Sequence, residues 1–383
     1  MPPRFSTSAG TLSSPSLPTL PSELVEEILC RLPVKILLQL RCICKSWKSL
    51  ILNDSTFAKK HLQHVKKRLI VSSVDDSGEL LFWDSSISSV FSNVSNSTVT
   101  QTQLNCPISF NSLVRLLYGN NLEICSCHGI LCFAIAGRYA FLWNPSLRRY
   151  NILPPLENPE ESDGSTSYLY SFGYDHFNNN VYKVVAISHF QDKNKKNEVS
   201  VHTMGTGYWR RIHDFPYSRC MPRSGVFVSG TVNWLAFDFS SSDTFCDIVS
   251  LDLEKESYQQ LLLPDFEKNY WTLGVYNDCL CIFANSVMFL DVWVMKEYGI
   301  KESWTKLYTI PAMGNHDFDT NTKVVYISED DQFLIDFYAR TSSKMELGVY
   351  DPKNGTLKFP MIQNINGWMD PEIYAESLIS PCS

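Results

Sequence analysis

Four residues within eight positions, Cys125, Cys127, His128 and Cys132, are of types that ligate zinc. Structural zinc sites draw such ligands from two matched pairs. No second pair accompanies this one, and Gly129-Ile130-Leu131 reads as a turn leading into a strand. The alternative is that these cysteines are small buried hydrophobes. Cys125-x-Cys127 and Cys279-x-Cys281 both stand at strand spacing, which puts each pair on one side of a sheet. His176, His189 and His202 add titratable rings, yet none stands in a nucleophile–base motif, and Gly-x-Ser-x-Gly is missing. Asp175, Asp252 and Asp351 fall at similar points along a repeating pattern, as turn-forming acids do. These residues point away from catalysis, and no metal or cofactor is expected.

The elements that carry them are short strands. From Arg68 onward, apolar stretches alternate with clusters of Gly, Asn, Asp and Ser, the signature of many antiparallel strands. Residues 122–155 form one unit: strand, turn at His128-Gly129, strand, turn at Gly137, strand to Trp143, turn at Asn144-Pro145, and a last strand through Tyr150 and Ile152. Weaker copies follow, and their last-strand aromatics Tyr150, Trp209, Tyr258 and Trp304 are 59, 49 and 46 residues apart. Such irregular periods suit the blades of a β-propeller with variable loops. Residues 68–118 supply one poor blade, so about six are expected, with seven possible. The strand-like tail PEIYAESLIS is expected to close the ring on the first blade, removing exposed edges. Trp143, Trp234 and Trp293 are expected between blades, and Gly173, Gly225 and Gly274 near the channel, where close packing favours small residues. The acidic stretch 156–167 and the basic stretch 191–198 are candidate target-contacting loops.

Composition sets the boundaries. The 383 residues are 44% hydrophobic and 13% aromatic, with a net charge of -7. An acidic chain lacks the basic face that nucleic acid requires, and no run reaches the roughly 18 apolar residues of a membrane span. Residues 1–19 are rich in Ser, Thr and Pro without an acid, which reads as a disordered tail; a transit peptide shares part of that composition. The twelve cysteines come without an apolar signal region, so a reducing compartment, cytoplasm or nucleus, is expected. The sequons at Asn93 and Asn96 would matter only in a secreted protein.

Residues 20–65 are different: helical and very apolar. Ser22 is placed to cap a helix, Glu23, Glu26 and Glu27 favour its N-terminal dipole, and Leu24, Ile28 and Leu32 recur every fourth residue. Pro33 ends that helix and suits the start of a second over 34–41. A third carries Cys44, Trp47, Leu50 and Ile51; a fourth follows Asp54 or Ser55, with Phe57, His61 and Leu62 inward. A module of about 45 residues is marginal on its own. Its apolar side chains must cover the β region, cover another protein, or belong to one larger core.

The order Leu20-Pro21, Ile28-Leu29, Arg31-Leu32-Pro33, Leu37, Arg41-x-x-Cys44-Lys45-x-Trp47 and Leu50-Ile51 resembles an F-box. Ile36 departs from it, where plant relatives often carry a small polar residue. SCHGILCF, LWNPSLRRY with ILPP, and FGYD with YKVV resemble the F-box-associated, kelch-like region of plant F-box proteins, though no blade has the full Gly-Gly kelch doublet. The resemblance implies an α+β multidomain chain: a tail over 1–19, an F-box over 20–65 and a propeller over 66–383. It further implies a non-catalytic receptor subunit of an SCF-type (Skp–cullin–F-box) ubiquitin ligase. The F-box would dock on a Skp-type adaptor, and through it a cullin, while the propeller loops hold a protein target. Carried over by position, Leu20, Pro21, Leu24, Ile28, Leu32, Pro33, Leu37 and Cys44 would contribute to the adaptor face and its support. Leu29, Leu40, Trp47, Leu50 and Ile51 would form the module core. The rivals are an F-box scaffold acting outside a ligase and a propeller enzyme or lectin with a helical cap.

Overall fold

The computed structural model describes residues 20–74, 80–92, 98–106, 122–135, 139–156, 166–176, 180–190, 196–220, 223–237, 246–265, 270–286, 288–311, 322–339, 344–362 and 371–382. The N-terminal tail, the two sequons, the turn at Gly137 and most of the two charged loops fall outside these residues.

Four short helices come first: α1 (Ser22–Leu29), α2 (Val34–Leu40), α3 (Lys45–Asn53) and α4 (Ser55–Leu62). The expected Ser22 cap is not made. Ser22 is the first helical residue, and Pro21 holds the cap position with extended backbone, its carbonyl accepting from Leu24 and Val25 at 3.1 Å. Pro33 plays the same part for α2. The α4 start follows expectation: Asp54 Oδ1 accepts from the Thr56 and Phe57 amides, each at 2.9 Å. Polar contacts fasten α4 to α1 and to the turn that follows it. The buried His61 ring donates through Nε2 to the Leu32 carbonyl at 2.9 Å, and Lys60 Nζ lies 2.9 Å from Glu27 Oε2.

Strands follow in six sheets. Blade 1 runs, from the inside out, Glu372–Ala375, Lys67–Val74, Leu80–Ser86 and Gln101–Leu104, so its innermost strand comes from the far end of the chain. Ala375 opposes Lys67 and Glu372 opposes Ile70 in antiparallel register. The closing role expected of PEIYAESLIS is therefore found, with six blades rather than seven. The inner strands of blades 2 to 6 include Leu122–Cys127, Thr166–Asp175, Val226–Val228, Tyr270–Tyr276 and Lys323–Ile327; with Glu372–Ala375 they touch in sequence around a ring. Six apolar cores lie one between each pair of neighbouring blades. Each blade is two-faced and buries itself only by stacking. Trp143, Trp234 and Trp293 join these layers. Gly173 and Gly274 lie on innermost strands, where an added Cβ would come 2.6 Å from Phe227 and 2.4 Å from Phe283.

Turn chemistry sorts the acids. Asn144, Asp252 and Asp351 each end the third strand of a blade and accept from backbone amides two or three residues on. Asp175 differs from that expectation. It ends the innermost strand of blade 3 and pairs with buried Lys183 at 3.0 Å, while Lys183 also donates to the Leu253 carbonyl of blade 4. The FGYD and YKVV segments thus meet in one ion pair that also ties two blades together.

Candidate functional site: an uncovered apolar face on the helical module

The helical core gathers Leu29, Cys30, Val34, Leu37, Ile51 and Phe57, with Val25, Leu32, Leu38, Leu40, Trp47 and Leu50 packed partly buried against it. The five residues expected as module core all lie in this cluster. Leu37, expected in the partner face or its support, is fully buried within it and so supports that face from beneath. The reason is helical geometry: Leu37 follows Val34 by three positions on α2, and both point at α1 and α3.

The other candidate partner residues are different. Leu20, Leu24 and Ile28 are 60%, 51% and 52% exposed, Pro21, Pro33 and Cys44 are exposed, and Leu32 is half-buried. Ile36 and Ile43 extend the set at 39% and 63% exposed. Sequence reasoning noted Ile36 only as a departure and missed Ile43; a β-branched apolar residue between two cysteines was the available signal. At the rim, the Cys44 thiol is 3.1 Å from the Ser46 hydroxyl, and that hydrogen bond with the Trp47 amide draws its pKa below the ordinary thiol value.

The module's other side rests on the propeller. Leu147, Leu378 and Ile379 enter its core cluster. Lys59 Nζ sits 5.5 Å from the centre of the Tyr174 ring. Leu147 is in the third turn of blade 2 and Tyr174 at the end of the innermost strand of blade 3, so the module covers one end of the ring. The opposite end carries the second-to-third-strand loops and the blade connections. Tyr139, Ile152, Leu262, Met288 and Met361 lie at that end, and each is at least half exposed.

The cysteine–histidine set does not converge into a metal site. Cys125 opposes Cys132 across the strand pair, Cys127 is buried with its thiol pushed up by burial, and His128 Nδ1 is 3.1 Å from the Tyr182 hydroxyl. The one metal-compatible group among the described residues is Glu27, Cys30 and His64, whose donor atoms lie within 4.8 Å of one another. There the Glu27 carboxylate already pairs with Arg31 and Lys60, and burial raises the Cys30 thiol. That group is an ion-pair cluster rather than a cation cradle.

The comparisons agree with this geometry. Residues 17–59 match the F-box domain family, and residues 79–380 match the F-box associated beta propeller domain family. An F-box/kelch-repeat protein of Arabidopsis thaliana is 31% identical over 377 residues, spanning 94% of this chain and 96% of its own. F-box protein CPR1 of the same plant is 24% identical, spanning 95% and 89%. With an apolar helical module seated on a six-bladed ring, and with both family matches in that order, the chain belongs to the plant-type F-box proteins that carry an F-box-associated β-propeller.

Proposed function

We propose that the chain is the target-receptor subunit of an SCF-type ubiquitin ligase. The observation that carries the reading is the apolar face of α1 and α2, left in solvent on a module too small to waste it. Leu20, Leu24, Ile28, Ile36 and Ile43, rimmed by Pro21, Pro33 and Cys44, dock on a Skp-type adaptor, which brings the cullin. The propeller takes a protein target at the end remote from the module, where Tyr139, Leu262 and Met288 stand in solvent. The chain does no chemistry of its own; it raises the effective concentration of a target lysine near the charged ubiquitin carrier. We read the blades as kelch-like, in keeping with the name of the first relative. We place the protein in cytoplasm, nucleus or both, in keeping with free thiols at Cys30, Cys127, Cys132 and Cys281. No described helix is long and apolar enough to cross a membrane.

The test is reconstitution. The full chain, mixed with purified Skp-type adaptor and cullin, co-elutes with both, and a chain lacking residues 20–61 co-elutes with neither. Binding of the adaptor without the cullin would favour a scaffold outside a ligase. Binding of neither by the full chain would end the reading.

A further inference from the structure

The segment that follows the closing strand does not run off into solvent. It crosses the end of blade 2 and enters the helical module: Ser377 is fully buried, and Leu378, 6% exposed, joins Leu29, Val34, Leu37, Ile51 and Phe57 in one cluster. A built cradle holds it there. Asn144, fully buried, has its Nδ2 at 3.0 Å from the Ser377 carbonyl, 3.1 Å from the Ser377 hydroxyl and 2.8 Å from the Ile379 carbonyl. The Asn144 Oδ1 accepts from the Leu147 amide at 3.1 Å, which fixes the second propeller residue that touches the module. Gly129 clears the path, since its backbone has φ +80 and an added Cβ would lie 2.3 Å from the Ala375 carbonyl and 2.6 Å from Ser377 Cβ. Upstream, Glu376 is 3.5 Å from Arg68, the residue that also holds Asp84 of blade 1.

We propose that residues 377–379 are an interdomain strap, with Leu378 its pin and Asn144 its clasp, which makes the helical module and the ring one rigid body. The physical ground is that one short segment joins two cores: Leu378 packs in the helical cluster, and Ile379 packs both against that cluster and against the apolar layer between blades 2 and 3. Leu378 is covalently continuous with the strand that closes the propeller, and its methyl groups complete the helical cluster. Loss of packing on one side is therefore felt on the other. The covalent link between α4 and blade 1, residues 63–66, fixes distance but not orientation; the strap supplies orientation. Resting on the receptor reading, this makes Leu378 and Asn144 positioning residues: they touch neither adaptor nor target, but they set the angle at which the ring presents its far end.

The test uses the full chain without adaptor, so that its outcome stands apart from the receptor reading. Scanning calorimetry of the wild type gives one cooperative transition. Leu378→Asp and Asn144→Ala each split it into two, and tryptic cleavage at Lys66 and Lys67 rises at least tenfold, while Leu378→Met behaves as wild type. Scattering of the chain then shows a longer maximum dimension in the two disruptive variants. If both keep a single transition and wild-type cleavage at Lys66 and Lys67, the strap is overturned. If Leu378→Asp does not fold, Asn144→Ala alone decides the matter by the same two readouts. Failure of the wild type to bind adaptor, with the split intact in the variants, would end the receptor reading and leave the strap standing.

Discussion

Ile28→Asp and Leu37→Ala separate docking from folding within one module. Ile28 is half exposed, so complete burial against an adaptor removes the remaining half of its surface from water. Full burial of such a side chain is worth roughly 1.5–3 kcal/mol, and half of that is about 1 kcal/mol. An aspartate there also leaves an unpaired charge in a desolvated contact, a further cost of about 2 kcal/mol or more. Together, about 3 kcal/mol weakens adaptor binding by roughly a hundredfold. The isolated chain loses within about 0.5 kcal/mol, since the position is open to solvent. Leu37→Ala does the reverse: it empties a fully buried site at a cost of about 2–5 kcal/mol in stability. Calorimetric titration with purified adaptor reads the first effect, and chemical denaturation reads the second. Ile28→Asp binding with wild-type affinity, or destabilising as much as Leu37→Ala, would refute the placement of these side chains.

Two further outcomes follow from buried polar groups. Arg68 Nε lies 2.8 Å from both Asp84 oxygens, and Tyr374 of the closing strand donates to Asp84 at 3.0 Å; Asp84→Ala strands a largely buried guanidinium and costs about 3 kcal/mol in urea unfolding, with Tyr374→Phe costing about 1 kcal/mol. Stability is also expected to fall on acidification, because burial, with the nearby His176 and Lys59, lowers the His128 imidazole from the ordinary 6.5 to about 4, against a smaller pull upward from Asp278. Between pH 6.5 and 4 the unfolded chain holds a proton on this ring that the folded chain refuses, so stability is present in full above 6.5 and is lost as pH drops, by at most about 3 kcal/mol. His128→Asn, which tolerates the φ of +50 at that turn, flattens the profile of unfolding free energy against pH; an unchanged slope would contradict the assignment.

Much of the fold was legible because its signals are local. The Asp54 cap needs residues 54–57, the third-strand turns need Asn144, Asp252 and Asp351 with their next three neighbours, and the blades need only alternating apolar residues with turn residues between them. The closing strand was legible for a topological reason: a ring of unequal first and last segments has an edge to remove. The Ser22 cap was misplaced because proline's fixed backbone one position earlier already starts the helix, and the sequence pattern does not rank the two. Whether Leu37 lies on the partner face or beneath it was left open for a related reason. α2 is apolar around most of its circumference, so the pattern shows that several faces are covered but not by what.

By itself, then, the sequence determined an apolar helical module followed by a closed ring of about six blades, with the tail completing the first, since hydrophobic periodicity and turn chemistry act over a few residues. Only the tertiary structure decided which end of the ring the module covers, that Leu378 enters the helical core, and that Asn144 reaches 233 positions along the chain to hold Ser377. Those contacts are made by single side chains between distant segments. Their energy depends on shape and distance in three dimensions, and neither is written in the spacing of residues along the chain.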